Sequence, residues 1–254
     1  MAYSKFRKSN RVGFIDEYRG FFVVAMVIYH ALYNLVYIFG VNLPFFDSGL
    51  MNITQRVIVS SFIVISGASS RYSGNNIKRG LMVFAIACLM TAFTVYFMPS
   101  QAIYFGVLHF LGLAMILFGL LRKVLDFFPC FWGLCLMVLL TLLTWGVPFA
   151  GSVGLFGWFG VTLPAALYSS PYLFWLGFPH PGFFSADYVP VIPWIFMFFA
   201  GGYLGVFFQQ GYMPAALYRT RFRALAAIGR KALVIYLLHQ PILYGLMWLW
   251  FEFI

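Results

Sequence analysis

Seven long apolar runs divide this chain, and they limit it to one class of fold. The runs cover residues 20–39, 53–70, 81–98, 104–121, 130–147, 190–209 and 232–253. A helix of about 20 apolar residues crosses the roughly 30 Å hydrocarbon core of a bilayer. Since 63% of the 254 residues are hydrophobic and only 9% are charged, the composition excludes a water-soluble domain. We therefore predict an all-α polytopic membrane protein with about seven transmembrane helices, in which residues 1–254 form one integral-membrane domain.

The basic residues indicate how these helices are oriented. Of the 16 Lys and Arg residues, all but Arg19 and Arg56 lie in the N-terminal tail or in alternate connections between the runs. Cytoplasmic loops of membrane proteins carry an excess of positive charge. The pattern predicts a cytoplasmic N-terminus, with residues 1–15 as a basic tail and the first helix as a retained signal anchor. It also explains the formal charge of +10 without a nucleic-acid partner.

Residues 149–189 do not fit an ordinary loop, because they are apolar and contain no Lys or Arg. The segment is interrupted by Pro164, Pro171, Pro179 and Pro181. Trp158 and Trp175 are of a residue type that is enriched at membrane interfaces. We predict an extracytoplasmic segment with one interfacial or re-entrant helix near residues 161–178, and two extra short passes are the alternative.

The first apolar run carries charged and titratable side chains on one face. At about 100° and 1.5 Å per residue, the eleven positions from Arg19 to His30 bring the two side chains within about 20° of each other, roughly 16 Å apart. The same stripe contains Val23, Met26 and Tyr33 or Asn34. Asp16 lies three residues before Arg19. Since charged groups within a bilayer are costly and usually functional, the stripe indicates the wall of a substrate pathway.

Two further histidines are predicted at a similar depth. His239 lies about eight residues above the inner end of the last run, and His109 lies about five below the outer end of the fourth. Together with His30 they are placed to share one cavity. Alternatively, His109 forms a helix-to-helix hydrogen bond, and His239 makes a structural bond beside the kink at Pro241. No metal site is expected, because no two of these histidines are three or four positions apart.

A second group of residues lies at the predicted cytoplasmic ends of the helices. It combines small side chains, which let a ligand approach the backbone, with cations that bind phosphate through charge-assisted hydrogen bonds. Its members are Asp16, Arg19, Ser66, Gly67, Arg71, Lys78, Arg79, Arg230 and Lys231. This inner surface suits a polyanionic, nucleotide-like ligand. The alternative is that the charges only set the topology and bind anionic lipid.

One acid and three thiols complete the candidates. Asp187 is the only acid between Asp126 and Glu252, and it precedes the proline-rich start of the sixth run. This carboxylate is placed to position a hydroxyl or amine at the outer end of the cavity, or it caps the sixth helix. The three cysteines are Cys88, Cys130 and Cys135. They lack the paired spacing of a disulfide framework, so we expect free, buried thiols.

The motifs together resemble a known family. They are Asp16-x-x-Arg19-Gly20 with ten residues between Arg19 and His30, Ser66-Gly67-Ala-Ser-Ser70-Arg71, Lys78-Arg79-Gly80, Gly106-Val-Leu-His109, Asp187-Tyr-Val-Pro190 and Gly229-Arg-Lys followed by His239-Gln-Pro241. Over almost the whole chain, the sequence is similar to the bacterial branch of the heparan-alpha-glucosaminide N-acetyltransferase catalytic-domain family, within the transmembrane acyltransferase superfamily. The resemblance implies a multi-pass protein of the bacterial plasma membrane. It also implies transfer of an acyl group, usually acetyl, from cytoplasmic acyl-CoA to a hydroxyl or amine of an extracytoplasmic glycan or glycolipid.

One position departs from the family pattern. The lysosomal enzymes of the family carry Asn where this chain has His30, and their catalytic histidine lies at the end of the same segment. This chain has no histidine between Ala31 and Leu108, so the role falls to His30 or His109. The resemblance therefore does not imply glucosamine as the acceptor.

Our leading hypothesis is an acyl-CoA-dependent membrane acyltransferase. In it, His30 is the general base or is transiently acetylated, and His109 and Asp187 orient the acceptor. Acetyl-CoA is the donor substrate and contacts the second group of residues together with His239. The expected partners are acyl-CoA, the acceptor and the bilayer, and a homodimer is left open.

Two other classes of protein compete with this hypothesis. The first is a proton-coupled transporter or flippase of a small or lipid-linked substrate, in which the three histidines relay protons. Such a pathway would need acids, which the predicted spans almost lack. The second is a structural or assembly subunit, in which the aromatic residues serve only as packing surface. Loss of function on replacement of Arg19 or His30 would separate the enzyme from this subunit.

Overall fold

The computed structural model describes residues 12–155 and 159–253. Its helices are α1 (Gly13–Tyr33), α2 (Gly49–Ser70), α3 (Asn76–Phe97), α4 (Val107–Phe127), α5 (Cys130–Thr144), α6 (Val147–Ala150), α7 (Ala165–Ser169), α8 (Val191–Gln209), α9 (Arg223–Arg230) and α10 (Ala232–Phe253). An antiparallel hairpin joins β1 (Ser152–Leu155) to β2 (Phe159–Thr162). Most of the predicted basic tail, with its four cations, and the interfacial Trp158 lie outside the described residues.

Seven helices in the described part of the chain are long and apolar enough to cross a membrane. They are Gly13–Ile38, Gly49–Ser70, Asn76–Phe97, Val107–Phe127, Cys130–Ala150, Val191–Gln209 and Ala232–Phe253. The first continues from α1 through a π-helical turn, Asn34–Ile38. Each overlaps one predicted run, so the prediction of an all-α polytopic membrane protein is confirmed. Large apolar side chains such as Leu89 and Phe127 are exposed on these helices, as contact with lipid requires.

The chain divides into two compact units. Unit 1 comprises residues 1–65 and 211–254, and unit 2 comprises residues 66–210. In unit 1, α9 packs closely on the first turns of α1. A side chain at Gly20 would meet the carbonyl of Leu225, and a side chain at Gly229 would meet the carbonyl of Asp16. Small residues allow this close approach of two helix backbones.

A buried acid fastens the start of α9 to α1. Glu17 Oε1 accepts hydrogen bonds from the backbone N–H groups of Arg221 and, at 2.8 Å, Phe222. The first N–H groups of a helix have no partner within the helix, and a negative charge near them is favourable. Glu17 is only 9% exposed, so this contact also satisfies a carboxylate that would otherwise be costly to bury.

Unit 2 is built on two tight helix pairs, α3 with α4 and α5 with α8. A Cβ at Gly80 would lie 2.6 Å from the carbonyl oxygen of Gly112, so glycine at both positions lets α3 and α4 touch. Gly133 on α5 lies against the phenol ring of Tyr203 on α8. The core of the unit is aromatic and contains the fully buried Phe110, Phe118 and Phe198.

The helix predicted near residues 161–178 is wrong, whereas the interfacial or re-entrant position of this segment stays a prediction. This stretch holds strand β2, the five-residue α7 and a 3₁₀ turn at Phe174–Leu176. Pro164 and Pro171 bracket α7, and Gly177 has a φ of 125°, which a right-handed helix does not permit. The alternative of two extra passes is also wrong for residues 12–155 and 159–253, where no further helix is long enough to cross a membrane.

The three cysteines are free thiols, as predicted. The expectation that they are buried is wrong for Cys88 and Cys135, which are exposed on α3 and α5. A thiol behaves as a small apolar group, so an outward position on a membrane-crossing helix suits it. Lipid there takes the place of the protein interior.

Candidate active site

Unit 1 brings two of the predicted histidines into direct contact. His239 Nε2 on α10 lies 2.8 Å from His30 Nδ1 on α1, and the two rings stack with centroids 4.8 Å apart. The other ring nitrogen of His239, Nδ1, lies 2.7 Å from the carbonyl oxygen of Tyr236. His239 is buried and His30 is partly buried. The site therefore contains an imidazole pair within two helices that can cross a membrane.

The stripe on α1 faces the protein interior and not lipid, whereas its role as the wall of a substrate pathway stays a prediction. Val23 and Met26 are 1% and 4% exposed, whereas Ile28 on the opposite face is 56% exposed. Asn34 rather than Tyr33 completes the stripe, because Asn34 is fully buried. This face of α1 is therefore not a lipid-facing surface.

Asn34 extends the contact between α1 and α10 by one helical turn. Its Nδ2 donates a 2.9 Å hydrogen bond to Oε1 of Gln240, the residue after His239. Asn34 Oδ1 is buried and has no hydrogen-bond partner among the residues that the structure describes. Sequence reasoning missed Gln240, and its place beside His239 is the signal that could have found it.

The other end of α1 is cationic. Arg19 Nη1 lies 3.4 Å from Asp16 Oδ1, and these side chains are 20% and 15% exposed. Gly229 packs on the backbone of Asp16, so Arg230 and Lys231 follow at this end of α1, and both are exposed. Four of the predicted donor-binding residues, Asp16, Arg19, Arg230 and Lys231, therefore gather at this end of α1.

In unit 2, Arg71 is buried where α2 turns toward α3. Its guanidinium forms an ion pair with Asp126 and donates through Nε to the carbonyl oxygen of Gly202 at 2.9 Å. The side chain of Gln209 donates to the Arg71 carbonyl at 3.0 Å. Sequence reasoning missed Asp126, although it is the only acid in residues 48–186. The charge of Arg71 is thus partly neutralised within the unit.

Three buried polar atoms near Arg71 have no hydrogen-bond partner in residues 12–155 and 159–253. They are Arg71 Nη2, Ser73 Oγ and Asn76 Oδ1. Buried polar groups without partners are rare, because each costs about 1–3 kcal/mol. A guanidinium nitrogen and a hydroxyl are both hydrogen-bond donors that an anionic group accepts.

The remaining predicted donor-binding residues have different surroundings. Lys78 and Arg79 are exposed in the first turn of α3. Gly67 is buried, and a Cβ there would lie 2.0 Å from the carbonyl oxygen of Phe198 on α8. Helix packing therefore explains the glycine at this position. Contact of Ser66 or Gly67 with a donor stays a prediction.

His109 lies in unit 2, and both of its ring nitrogens are engaged. The Gly106 N–H donates to His109 Nδ1 at 3.3 Å. Thr91 Oγ1 donates to the carbonyl of Ile103 at 2.6 Å, so the 3.2 Å contact with His109 Nε2 is donated by the histidine. The ring links α3 to the start of α4. This is the helix-to-helix hydrogen bonding that the sequence offered as the alternative to a catalytic role. A catalytic role for His109 stays a prediction that these bonds do not favour.

Asp187 caps a helix, but not the one suggested by the sequence. Its Oδ2 accepts a 2.8 Å hydrogen bond from the Val107 N–H in the first turn of α4, whereas the sequence suggested the start of α8. A Cβ at Gly106 would lie 2.3 Å from the same oxygen, so the carboxylate is held against the backbone. Orientation of an acceptor by Asp187 stays a prediction.

Two tyrosines outside the membrane-crossing helices act as hydrogen-bond donors. Tyr168 donates to the carbonyl of Val147 and Tyr188 to that of Phe174, both at 2.6 Å. Burial raises the pKa of both phenols, so they stay protonated at neutral pH and do not serve as bases. Within residues 12–155 and 159–253, no group of three His, Cys, Asp or Glu side chains is close enough to hold a metal ion.

Comparison with known proteins shows the family. The family model described as heparan-alpha-glucosaminide N-acetyltransferase, catalytic, matches residues 11–241. This range includes the histidine pair, the cationic end of α1, Arg71 with Asp126, and Asp187. Neither a curated protein nor a solved structure matches the chain significantly.

Proposed function

We propose a function for this chain from the premise that it belongs to the heparan-alpha-glucosaminide N-acetyltransferase catalytic family, a family of membrane acetyltransferases. In this proposal it transfers an acyl group, in the first instance acetyl, from cytoplasmic acyl-CoA. The acceptor is a hydroxyl or amine of an extracytoplasmic glycan or glycolipid. The bacterial plasma membrane is the proposed location, and acetyl-CoA is the donor substrate.

The observation that supports this proposal most strongly lies within unit 1. Cations gather near the first turns of α1, and an imidazole lies farther along the face of that helix that carries Arg19. Arg19, Arg230 and Lys231 lie at the start of α1, and His30 follows Arg19 by eleven residues, or about 16 Å along the helix axis. Cations bind phosphate by charge-assisted hydrogen bonds. Coenzyme A, with a phosphorylated head and a long arm that ends in the thioester, suits this separation.

His30 is the proposed general base. Its imidazole accepts the proton of the acceptor hydroxyl or amine while the oxygen or nitrogen attacks the thioester carbonyl. A new acyl–oxygen or acyl–nitrogen bond forms, the carbon–sulfur bond breaks, and coenzyme A leaves as a thiolate that takes up the proton. The alternative to direct transfer is an acyl-enzyme route, in which His30 first attacks the thioester and is transiently acetylated.

Unit 2 contains further groups proposed to bind substrate. Arg71 Nη2 and Ser73 Oγ are buried and unpartnered among the described residues, and they could receive an anionic group. Lys78 and Arg79 add exposed positive charge at the start of α3. Asp187 is proposed to orient the acceptor as well as to cap α4.

The test compares His30→Ala with His180→Ala in purified protein reconstituted in lipid nanodiscs. His180 is a matched control, because its Nδ1 contacts the Pro181 carbonyl in a segment far along the chain from α1. We expect His30→Ala to lower transfer of labelled acetyl from acetyl-CoA to a panel of neutral and amino sugars by about 10²-fold or more. Coenzyme A should still raise the melting temperature of the variant.

Other outcomes would contradict the proposal. Transfer by His30→Ala at the wild-type rate would remove His30 from the mechanism. Proton-coupled uptake into proteoliposomes that does not depend on acyl-CoA would instead support the transporter. Detection of an acetylated His30 peptide by mass spectrometry would select the acyl-enzyme route over direct transfer.

A further inference from the structure

The histidine pair in unit 1 has a defined hydrogen-bond direction. A carbonyl oxygen only accepts hydrogen bonds, so His239 Nδ1, at 2.7 Å from the oxygen of Tyr236, carries a hydrogen. In a neutral imidazole the other nitrogen then has the lone pair, so His239 Nε2 is an acceptor. The 2.8 Å contact between His239 Nε2 and His30 Nδ1 is therefore donated by His30. The lone pair of His30 is left on Nε2.

We infer that His239 is a positioning residue that fixes His30 in the tautomer whose Nε2 carries the lone pair. This inference rests on the proposed function, in which that lone pair accepts the proton of the acceptor. An isolated neutral imidazole can carry its hydrogen on either nitrogen, and the bond made by one nitrogen sets the state of the other. The carbonyl of Tyr236 thus determines, through His239, which atom of His30 acts as the base.

The surroundings of the pair favour this neutral arrangement. Both histidines lie in helices that can cross a membrane, where an imidazolium is costly. Their ring neighbours are aromatic: Tyr29 lies 5.9 Å from His30 and Tyr236 lies 5.6 Å from His239, measured between ring centroids. No acidic side chain contacts either ring among the residues that the structure describes. No anion in these contacts would hold an additional proton on the pair before the substrate supplies one.

The neighbouring hydrogen bond supplies an internal control. Asn34 and Gln240 join the same two helices one turn away and do not touch the ring nitrogens of the histidines. Gln240→Leu therefore removes an α1–α10 hydrogen bond without changing the acceptor that faces His30. Any effect of loosened helix packing will be present in Gln240→Leu, whereas a change of tautomer will not.

The experiment reads the tautomer by ¹⁵N NMR of histidine-labelled protein in nanodiscs at neutral pH. Protonated and unprotonated ring nitrogens have different chemical shifts, and the chain has only four histidines to assign by single substitutions. We expect His30 Nε2 to be unprotonated in the wild type and in Gln240→Leu. His239→Leu should give a mixture of tautomers at His30. His239→Gln should keep the wild-type pattern, because its amide oxygen can still accept from His30 Nδ1.

The turnover number should be high in the variants that keep the His30 Nε2 lone pair and low in those that do not. We expect His239→Leu to lose about 10²-fold in kcat with KM for acetyl-CoA nearly unchanged, and His239→Gln to recover most of the loss. A protonated Nε2 on wild-type His30, or an unchanged His30 pattern in His239→Leu, would overturn the inference. Failure of the proposed function has a different signature: the tautomer is as inferred, but His30→Ala transfers acetyl at the wild-type rate.

Discussion

Gly20 on α1 is the position where one added methyl group should separate the two helices that form the cationic end of unit 1. A Cβ at this position would lie 1.9 Å from the carbonyl oxygen of Leu225 and 3.1 Å from the backbone nitrogen of Gly229. Both neighbours are backbone atoms of α9 and cannot rotate away. Since non-bonded heavy atoms pack at about 3.5 Å, α9 must shift by roughly 1.5 Å to accept alanine.

The size of the effect follows from two opposing terms. Overpacking typically costs about 1–3 kcal/mol, and a clash with rigid backbone belongs at the upper end of that range. Alanine in place of glycine within a helix contributes about 1 kcal/mol of stability in return. We therefore expect Gly20→Ala to lower the free energy of unfolding by about 2 kcal/mol.

Gly245 on α10 provides the matched control. A Cβ there would meet no atom within 4 Å, so Gly245→Ala should gain up to about 1 kcal/mol from helix propensity alone. Unfolding by titration with a denaturing detergent in mixed micelles measures both variants. Because Arg230 and Lys231 move with α9, Gly20→Ala should also bind coenzyme A more weakly by calorimetry. Equal stability of the two variants, or coenzyme A binding by Gly20→Ala at full affinity, would refute the reasoning.

Two further predictions concern unit 2. Asp126→Asn leaves the buried charge of Arg71 without its anion and should cost about 2 kcal/mol, less than for a fully buried pair because Asp126 is 47% exposed. Arg122→Met removes only the exposed 3.8 Å contact with the same carboxylate and should change stability by less than about 1 kcal/mol in the same titration. Asp187→Ala should cost about 1 kcal/mol by removing the cap of α4, and Asp187→Asn clearly less. If Asp187 also orients the acceptor, the Asn variant should lose acetyl transfer without a matching loss of stability, and an unchanged rate would restrict Asp187 to capping.

The membrane helices can be predicted from the sequence because the length and polarity of an apolar run are local properties. Helix α9 cannot be predicted in this way, since its eight residues lie in a strongly basic connection. Glu17 stabilises α9 by accepting a hydrogen bond from the N–H of Phe222, which is 205 positions away in the chain. The β1–β2 hairpin is a local element, since it pairs residues such as Ser152 and Thr162, but it lies in a segment whose apolar composition suggests a membrane interface rather than strands.

In the candidate site, too, local features can be predicted from the sequence and contacts between helices cannot. Helical periodicity is sufficient to place Arg19 and His30 on one face of α1, and the burial of Asn34 agrees with it. Periodicity does not identify partners on other helices. The pairing of Arg71 with Asp126, 55 positions away, and of His30 with His239, 209 positions away, depends on how the helices pack.

His30 and His109 show why partners matter more than depth in choosing the base. The sequence places both imidazoles at similar depth in the membrane, and it gives no reason to prefer one. In the structure, His109 receives a hydrogen bond from Gly106 on one nitrogen and donates to Thr91 from the other. His30 uses only Nδ1, toward His239, and no described residue bonds to its Nε2. A general base must keep a lone pair at an atom that the substrate can reach, so the availability of a ring nitrogen favours the histidine on α1.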